Sequence, residues 1–264
     1  MERGTRFRPR ERLIPVLAAV LLSAVVLGGC GTVASTSDEE SSLSISSENT
    51  GSNTVDASAW NLILVNGQHK LPDDFTVKTK TIPGGQSVDK RIYSAVIAML
   101  EDCEKEGYHP GVSSAYRDVK WQTELFNLEV REHLEEGCTK AEAKALAKQE
   151  VAEPGTSEHH TGLALDMIAD GNMALEESFA KTDVGKWLAK NAYKYGFILR
   201  YPKGKEHITG VVYEPWHFRY VGKKAAKEIT EQGICLEEYL GVTDLTGSLS
   251  GDHPSLAGEG SESA

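Results

Sequence analysis

Two stretches of the chain hold residue types that together could bind a cation and hydrolyse a bond: SEHHTGLALD, Ser157 to Asp166, and YEPWHFRY, Tyr213 to Tyr220. In LALDM, Leu163, Leu165 and Met167 alternate with Ala164 and Asp166. On a strand this puts the large apolar residues on one face and the aspartate on the other, beside a small alanine that leaves room. A carboxylate turned inward is costly unless a cation or several donors meet it, and zinc takes histidine nitrogen and carboxylate oxygen readily. In the second stretch Glu214 and His217 stand three apart, separated by Pro215 and Trp216. A hydrolytic zinc site uses three protein ligands, keeps one position open, and places a carboxylate where it can take a proton from water. Asp166, His217 and either His159 or His160 supply three ligands, and Glu214 is left as the base. Strand parity does not choose between the two histidines, because Gly162 interrupts the alternation.

These groups need a scaffold. Ile92, Ala95, Val96, Met99, Leu100 and Cys103 recur with helical spacing over residues 90–106, and Gly107 stops the run. A second helix is expected from Asp118 through Trp121, Leu125 and Phe126 to Leu134, closing at Gly137. Thr139 to Glu142 has capping-box form ahead of a third. A fourth spans residues 184–195 before Gly196, and AAKEITEQ forms a fifth before Gly233. Extended candidates are NLILVN (Asn61 to Asn66), LALDMI, FILRY, ITGVVY and WHFRYV. Helices come first and most strands later, without regular βαβ alternation, which favours an α+β domain on a small antiparallel sheet with flanking helices. Trp216 and Phe218 read as core and wall. His69, His109, His133, His207 and His253 read as ordinary surface or loop residues, His207 being the one that could prove an exception.

The ends read differently from this folded unit, which is placed at residues 59–240. Arg3, Arg6, Arg8, Arg10 and Arg12 precede the apolar run Leu13 to Leu27 and then LGGC, the layout of a signal peptide over residues 1–29. LGGC also resembles the bacterial lipobox, so Cys30 is expected to carry lipid and anchor an exported protein to the outer side of the membrane. Residues 30–58 are Ser, Thr, Asn and acid with almost no large apolar group, a flexible tether, and residues 241–264 have the same character and are expected to be disordered. The formal charge of −11 becomes about −14 once the basic leader is removed, which argues against a nucleic-acid partner. After Cys30 only Cys103, Cys138 and Cys235 remain, an odd number with no CxxC spacing. A bridge between Cys103 and Cys138 is one option, and Cys103 on a buried helix face is the other.

The combination resembles the VanY-type D-alanyl-D-alanine carboxypeptidases, zinc peptidases that trim bacterial cell-wall peptides. The family's SxHxxGxAxD is matched by Ser157, His159, Gly162, Ala164 and Asp166, and its ExxH by Glu214 to His217. Residues 196–222 (GFILRYPKGKEHITGVVYEPWHFRYVG) and SSAYRDVKWQ, Ser113 to Gln122, are similar to two further family blocks. The resemblance implies the α+β fold shared with the hedgehog signalling domain, Zn2+ on His159, Asp166 and His217, and Glu214 as catalytic base. It further implies Arg117 over the substrate carbonyl, with Ser157, Gln122 and Ser114 as substrate contacts. Position 118 is Asp where the family commonly has Ser, and position 160 is His where it commonly has Gln, which makes His160 a candidate for tuning the substrate side. The implied activity is release of the terminal D-alanine from peptidoglycan stem peptides or their precursors by a monomer. An L,D-carboxypeptidase acting on the tetrapeptide shares the motifs, and a non-catalytic wall-binding protein is the rival from another class.

Overall fold

A computed structural model describes residues 59–242. The expected signal peptide, Cys30, the tether and the tail beyond residue 242 lie outside these residues. After an extended entry segment, β1 (Thr79–Thr81) and β2 (Ser87–Asp89) form a small antiparallel hairpin. Helix α1 (Tyr93–Lys105) buries Val96, Met99, Leu100 and Cys103, the stripe its sequence spacing predicts. Strand β3 (Pro110–Ser114) follows, and then α2 (Val119–Glu135), where Asp118 accepts from the Trp121 N–H at 2.7 Å as N-cap. Helix α3 (Lys140–Glu150) starts on the predicted Thr139/Glu142 capping box. The chain continues through β4 (Ala164–Ala169), α4 (Asp183–Asn191), β5 (Phe197–Tyr201), α5 (Glu206–Thr209), β6 (Glu214–Tyr220), α6 (Lys223–Gln232) and α7 (Leu236–Tyr239).

Strands β3, β4, β6 and β5 form one sheet in that order, with every neighbouring pair antiparallel. Its two faces do different work. Leu165, Met167, Phe197 and Phe218 point into a core shared with Val96, Met99, Cys103, Val184 and Leu188 from α1 and α4. On the opposite face Ile198 joins a second apolar cluster with Ala225, Ala226, Ile229 and Leu236 from α6 and α7. Asp166, His217 and Arg219 belong to that same opposite face, because Asp166 pairs with His217 and Ala164 with Arg219 across β4 and β6.

Four expectations change. NLILVN is no strand: Asn61 and Leu62 lie in a turn, and the carbonyls of Asn61 and Ile63 accept from Arg219 Nη2 at 3.2 and 2.8 Å, so a guanidinium takes the place of a neighbouring strand. ITGVVY is not a strand either, since Ile208 and Thr209 finish α5 and Gly210 caps it at φ 72°. The fourth helix ends at Asn191 and tightens into a 3-10 turn over Ala192–Tyr195. His133 is no surface residue: it is 3% exposed, against α3. Strand β3, short and holding Pro110 and Gly111, carried no apolar run that could reveal it. Cys103, Cys138 and Cys235 are all free thiols, Cys103 on the buried face of α1.

A fully buried charge cluster ties the second face together. Glu158 Oε1 accepts from Arg200 Nε on β5 and from Arg219 Nη1 on β6, each at 2.7 Å. Arg200 in turn grips Glu237 of α7 with both terminal nitrogens, at 2.8 and 2.6 Å. All four side chains are 0% exposed, with two positive charges balancing two negative ones. Burial alone would raise the Glu158 carboxyl, but the two guanidinium groups hold it far below the usual carboxylate range.

Two substitutions test this framework. Arg200→Met strips Glu237 of its bidentate partner and Glu158 of one of two, and removing one member of a buried pair costs about 3–5 kcal/mol, to be read by urea unfolding. Replacing Glu237 by Leu in the same chain should recover part of the loss. Gly162 sits at φ 68°, and a Cβ there would lie 2.7 Å from the Asp89 backbone nitrogen. Gly162→Ala should therefore cost about 1–3 kcal/mol in backbone strain, plus the displacement of β2, in the same assay.

Candidate metal centre

His159 rides on a 3-10 turn, Glu158–Thr161, that Ser157 caps by accepting from the His159 N–H at 3.4 Å. Its Nδ1 lies 2.6 Å from the Ala115 carbonyl oxygen. A carbonyl can only accept, so Nδ1 carries the proton and Nε2 presents a lone pair to the sheet. The second histidine is set the opposite way round. His217 Nε2 lies 3.4 Å from Glu158 Oε2, which turns Nδ1 toward Asp166. The two inward ring nitrogens converge on one carboxylate: His159 Nε2 is 3.2 Å from Asp166 Oδ2, and His217 Nδ1 is 3.1 Å from Asp166 Oδ1.

These residues fit a zinc ion. One donor atom from each of His159, Asp166 and His217 lies within 4.8 Å of the others, and all three side chains are buried. His159 Nε2 and Asp166 Oδ1 have no hydrogen-bond partner although both are fully buried, a costly arrangement that a cation would resolve. The histidine-to-carboxylate separations of 3.2 and 3.1 Å are close to the edge of about 3.3–3.4 Å of a tetrahedron about an ion with bonds of about 2.0–2.1 Å. The histidine left open by strand parity is thereby His159. His160 points elsewhere: its Nδ1 donates to the Arg117 carbonyl at 2.7 Å and its Nε2 accepts from the Gly155 N–H at 3.1 Å. Both ring nitrogens serve the backbone, so His160 braces the Arg117 segment.

Two breaks in strand regularity complete the site. Residues three apart on a regular strand face opposite ways, yet Glu214 Oε2 lies 3.5 Å from His217 Nδ1. The register between β5 and β6 slips between Leu199 and Tyr201, where Glu214 stands across from Tyr201, and Pro215, lacking an N–H, lies in the irregular stretch. On the other side, Val112 pairs with Met167 but Ser114 pairs with Asp166, so a bulge turns Ser114 from the core side to the site side. It also delivers Ala115 to His159 and Arg117 to the centre. Arg117 Nη2 is 3.7 Å from Asp166 Oδ2, and its Nε is buried without a partner.

The electrostatics sort these groups. Burial raises the Glu214 carboxyl to about 8, with His217 working against the rise and Asp166 adding to it. His159 is pushed down to about 4, by burial and then by the Arg117 charge. Burial would lower His217 as well, but Asp166 and Glu158 carry it up to about 9. Gln122 is fully buried, donating from Nε2 to the Ala152 carbonyl at 2.8 Å and leaving Oε1 unpartnered. Ser157 Oγ accepts from the turn it caps, which leaves its own O–H to donate. Sequence reasoning passed over Glu158, Arg200, Arg219 and Glu237. The available signal was an arginine inside each of two apolar strands, FILRY and WHFRYV, since a buried arginine requires carboxylates.

Comparison with known proteins agrees with this geometry. The family model for VanY, D-alanyl-D-alanine carboxypeptidase, matches residues 85–223. A D-alanyl-D-alanine carboxypeptidase of Enterococcus faecalis is 41% identical over 231 residues, which is 87% of this chain and 82% of the relative. Among solved structures, a variant of the vancomycin-resistance D,D-pentapeptidase VanY from a VanB-type cassette, in complex with Zn(II), is 44% identical with a TM-score of 0.63, covering 69% of this chain and 99% of that one. The LD-carboxypeptidase LdcB is 40% identical with a TM-score of 0.58, covering 70% of this chain and 88% of that one. A match that runs from the β1–β2 hairpin past β6, together with a relative of this identity along most of its length, places the chain in the VanY D-alanyl-D-alanine carboxypeptidase family.

Proposed function

We propose that the protein is a zinc-dependent D-alanyl-D-alanine carboxypeptidase that removes the terminal D-alanine from peptidoglycan stem peptides or their precursors. The observation that carries this reading is the pair of orphaned buried atoms, His159 Nε2 and Asp166 Oδ1, beside a carboxyl that burial has raised. His159, Asp166 and His217 would hold the metal, whose chemistry is to polarise the scissile carbonyl and acidify the attacking water. Glu214 takes the proton of that water as it attacks the carbonyl carbon, and returns a proton to the leaving amine as the C–N bond breaks. The Arg117 guanidinium, held by its own backbone through His159 and His160, lies where it can meet negative charge developing on the carbonyl oxygen. Gln122, a candidate substrate contact, keeps its Oε1 buried and unpartnered.

The basic leader and LGGC support a place outside the cytoplasmic membrane, with Cys30 lipidated and the domain on a tether. The acidic balance gives no support for nucleic acid as a partner, and a monomer suffices because every site residue comes from one chain. A wall-binding protein would have no use for Glu214 buried against a ligand, which favours catalysis.

Glu214→Gln should lower D-alanine release by about 10²–10⁴-fold, with zinc content by elemental analysis unchanged; an unimpaired variant would overturn the assignment of the base. Offered pentapeptide and tetrapeptide stems separately, the protein should convert the pentapeptide to tetrapeptide, as mass spectrometry would record. Release from the tetrapeptide alone would make it an L,D-carboxypeptidase.

A further inference from the structure

We infer that the α2–α3 hairpin carries a second metal site, for a divalent transition metal such as zinc, built from Glu129, His133 and Glu150. Glu129 and His133 are one helical turn apart on α2, and Glu150 is the last residue of α3. His133 Nε2 lies 3.4 Å from Glu129 Oε1 and 3.9 Å from Glu150 Oε1, and the three donor atoms all fall within 4.8 Å of one another. That nitrogen is fully buried, in a side chain 3% exposed, and makes no hydrogen bond. The other face of the ring is fixed: Nδ1 is 3.4 Å from Glu136 Oε2, so it donates there and leaves the Nε2 lone pair aimed at the two carboxylates.

Two accounts of this cluster compete. An imidazolium among carboxylates would turn its Nε2–H onto one of them, yet neither carboxylate receives a hydrogen bond from that nitrogen. A cation needs no such alignment; it needs one lone pair and two carboxylate oxygens close together, and here Nε2 stands 3.4 and 3.9 Å from them with all three donor atoms within 4.8 Å of one another. A histidine that gives its second N–H to a carboxylate is the ordinary setting of a metal ligand. One imidazole with two carboxylates suits zinc better than calcium or magnesium, which favour oxygen alone. The arrangement repeats, on helices, what His217 and Glu158 do on the sheet. It shares no residue with that centre.

The site would staple the end of α3 to α2. Two residues beyond Glu150, the Ala152 carbonyl holds Gln122 of α2, so the staple would also steady that side chain. It is not needed for chemistry.

The test uses the full chain, stripped with a chelator and titrated with Zn2+ against a chromophoric competitor, with bound metal counted by elemental analysis. Wild type should bind two zinc ions per chain. Glu150→Ala, on a partly exposed helix end, should bind one and keep D-alanine release. His217→Ala should also bind one, lose release, and still melt several degrees higher when Zn2+ is added; adding Glu150→Ala to it should abolish both the binding and the shift. A wild type that binds one ion, or a Glu150→Ala chain that still binds two, overturns the inference. Because His217→Ala removes only the catalytic centre, failure of the carboxypeptidase reading would leave the second count intact.

Discussion

One buried carboxylate holds the functional half of this domain in place. Glu158 accepts from Arg200 and Arg219 with one oxygen and faces His217 with the other, so the 3-10 turn, β5, β6 and a metal-facing histidine all meet at a single residue. Its sequence neighbour His159 is another member of the centre. The turn cannot relax without moving both histidines, and the strands cannot part without exposing two arginines to an apolar layer. Burying four charges is expensive, and a well-packed apolar cluster would serve stability at least as well. What the ionic cluster adds is direction: each guanidinium fixes its partners at one distance and one angle, and that rigidity reaches the Nδ1 atom of His217.

The sheet supplies the rest by breaking its own rules. Regular pleating alone would set Asp166 and His217 side by side, as it does, but would leave Glu214 and Ser114 on the core face. The slip between Leu199 and Tyr201 and the bulge before Ser114 bring both onto the site. Catalytic geometry here depends on two local defects lying on either side of one regular pair, with β4 and β6 as the straight edge between them.

The difference between what is legible in the chain and what is not follows from that. Helix α1 was plain because one face of it packs on the core and the other meets water, which writes the period into the residue types. The pairing of Leu165 and Met167 against Asp166 was plain for the same reason, and with it the need for a cation. The choice between His159 and His160 was not, since both rings give Nδ1 to a distant backbone carbonyl, at Ala115 and at Arg117, and only the Gly155 N–H on His160 Nε2 separates them. NLILVN looked like a strand because its residue types suit extended backbone; that its partner is the Arg219 side chain leaves no local trace. His133 was misread because one histidine on a polar helix carries no sign of the helix that will cover it.

The two histidines of the centre also show how the site's charge is arranged around the ion it takes. Counting the chain's own groups, His159 falls to about 4 and so offers a lone pair at any physiological pH, whereas His217 is carried up to about 9 and Glu214 to about 8. Near neutrality the second histidine therefore holds a proton and is cationic beside the Asp166 carboxylate, while the base is a neutral acid. A dication held by His159, Asp166 and His217 would displace the proton on His217 Nδ1 and favour the Glu214 carboxylate beside it. Glu214 would thus be ready to accept a proton only once the ligands were engaged. Burial deep enough to raise Glu214 this far would couple the acid–base state of its carboxyl to occupancy of the site, through the 3.5 Å that separates it from His217.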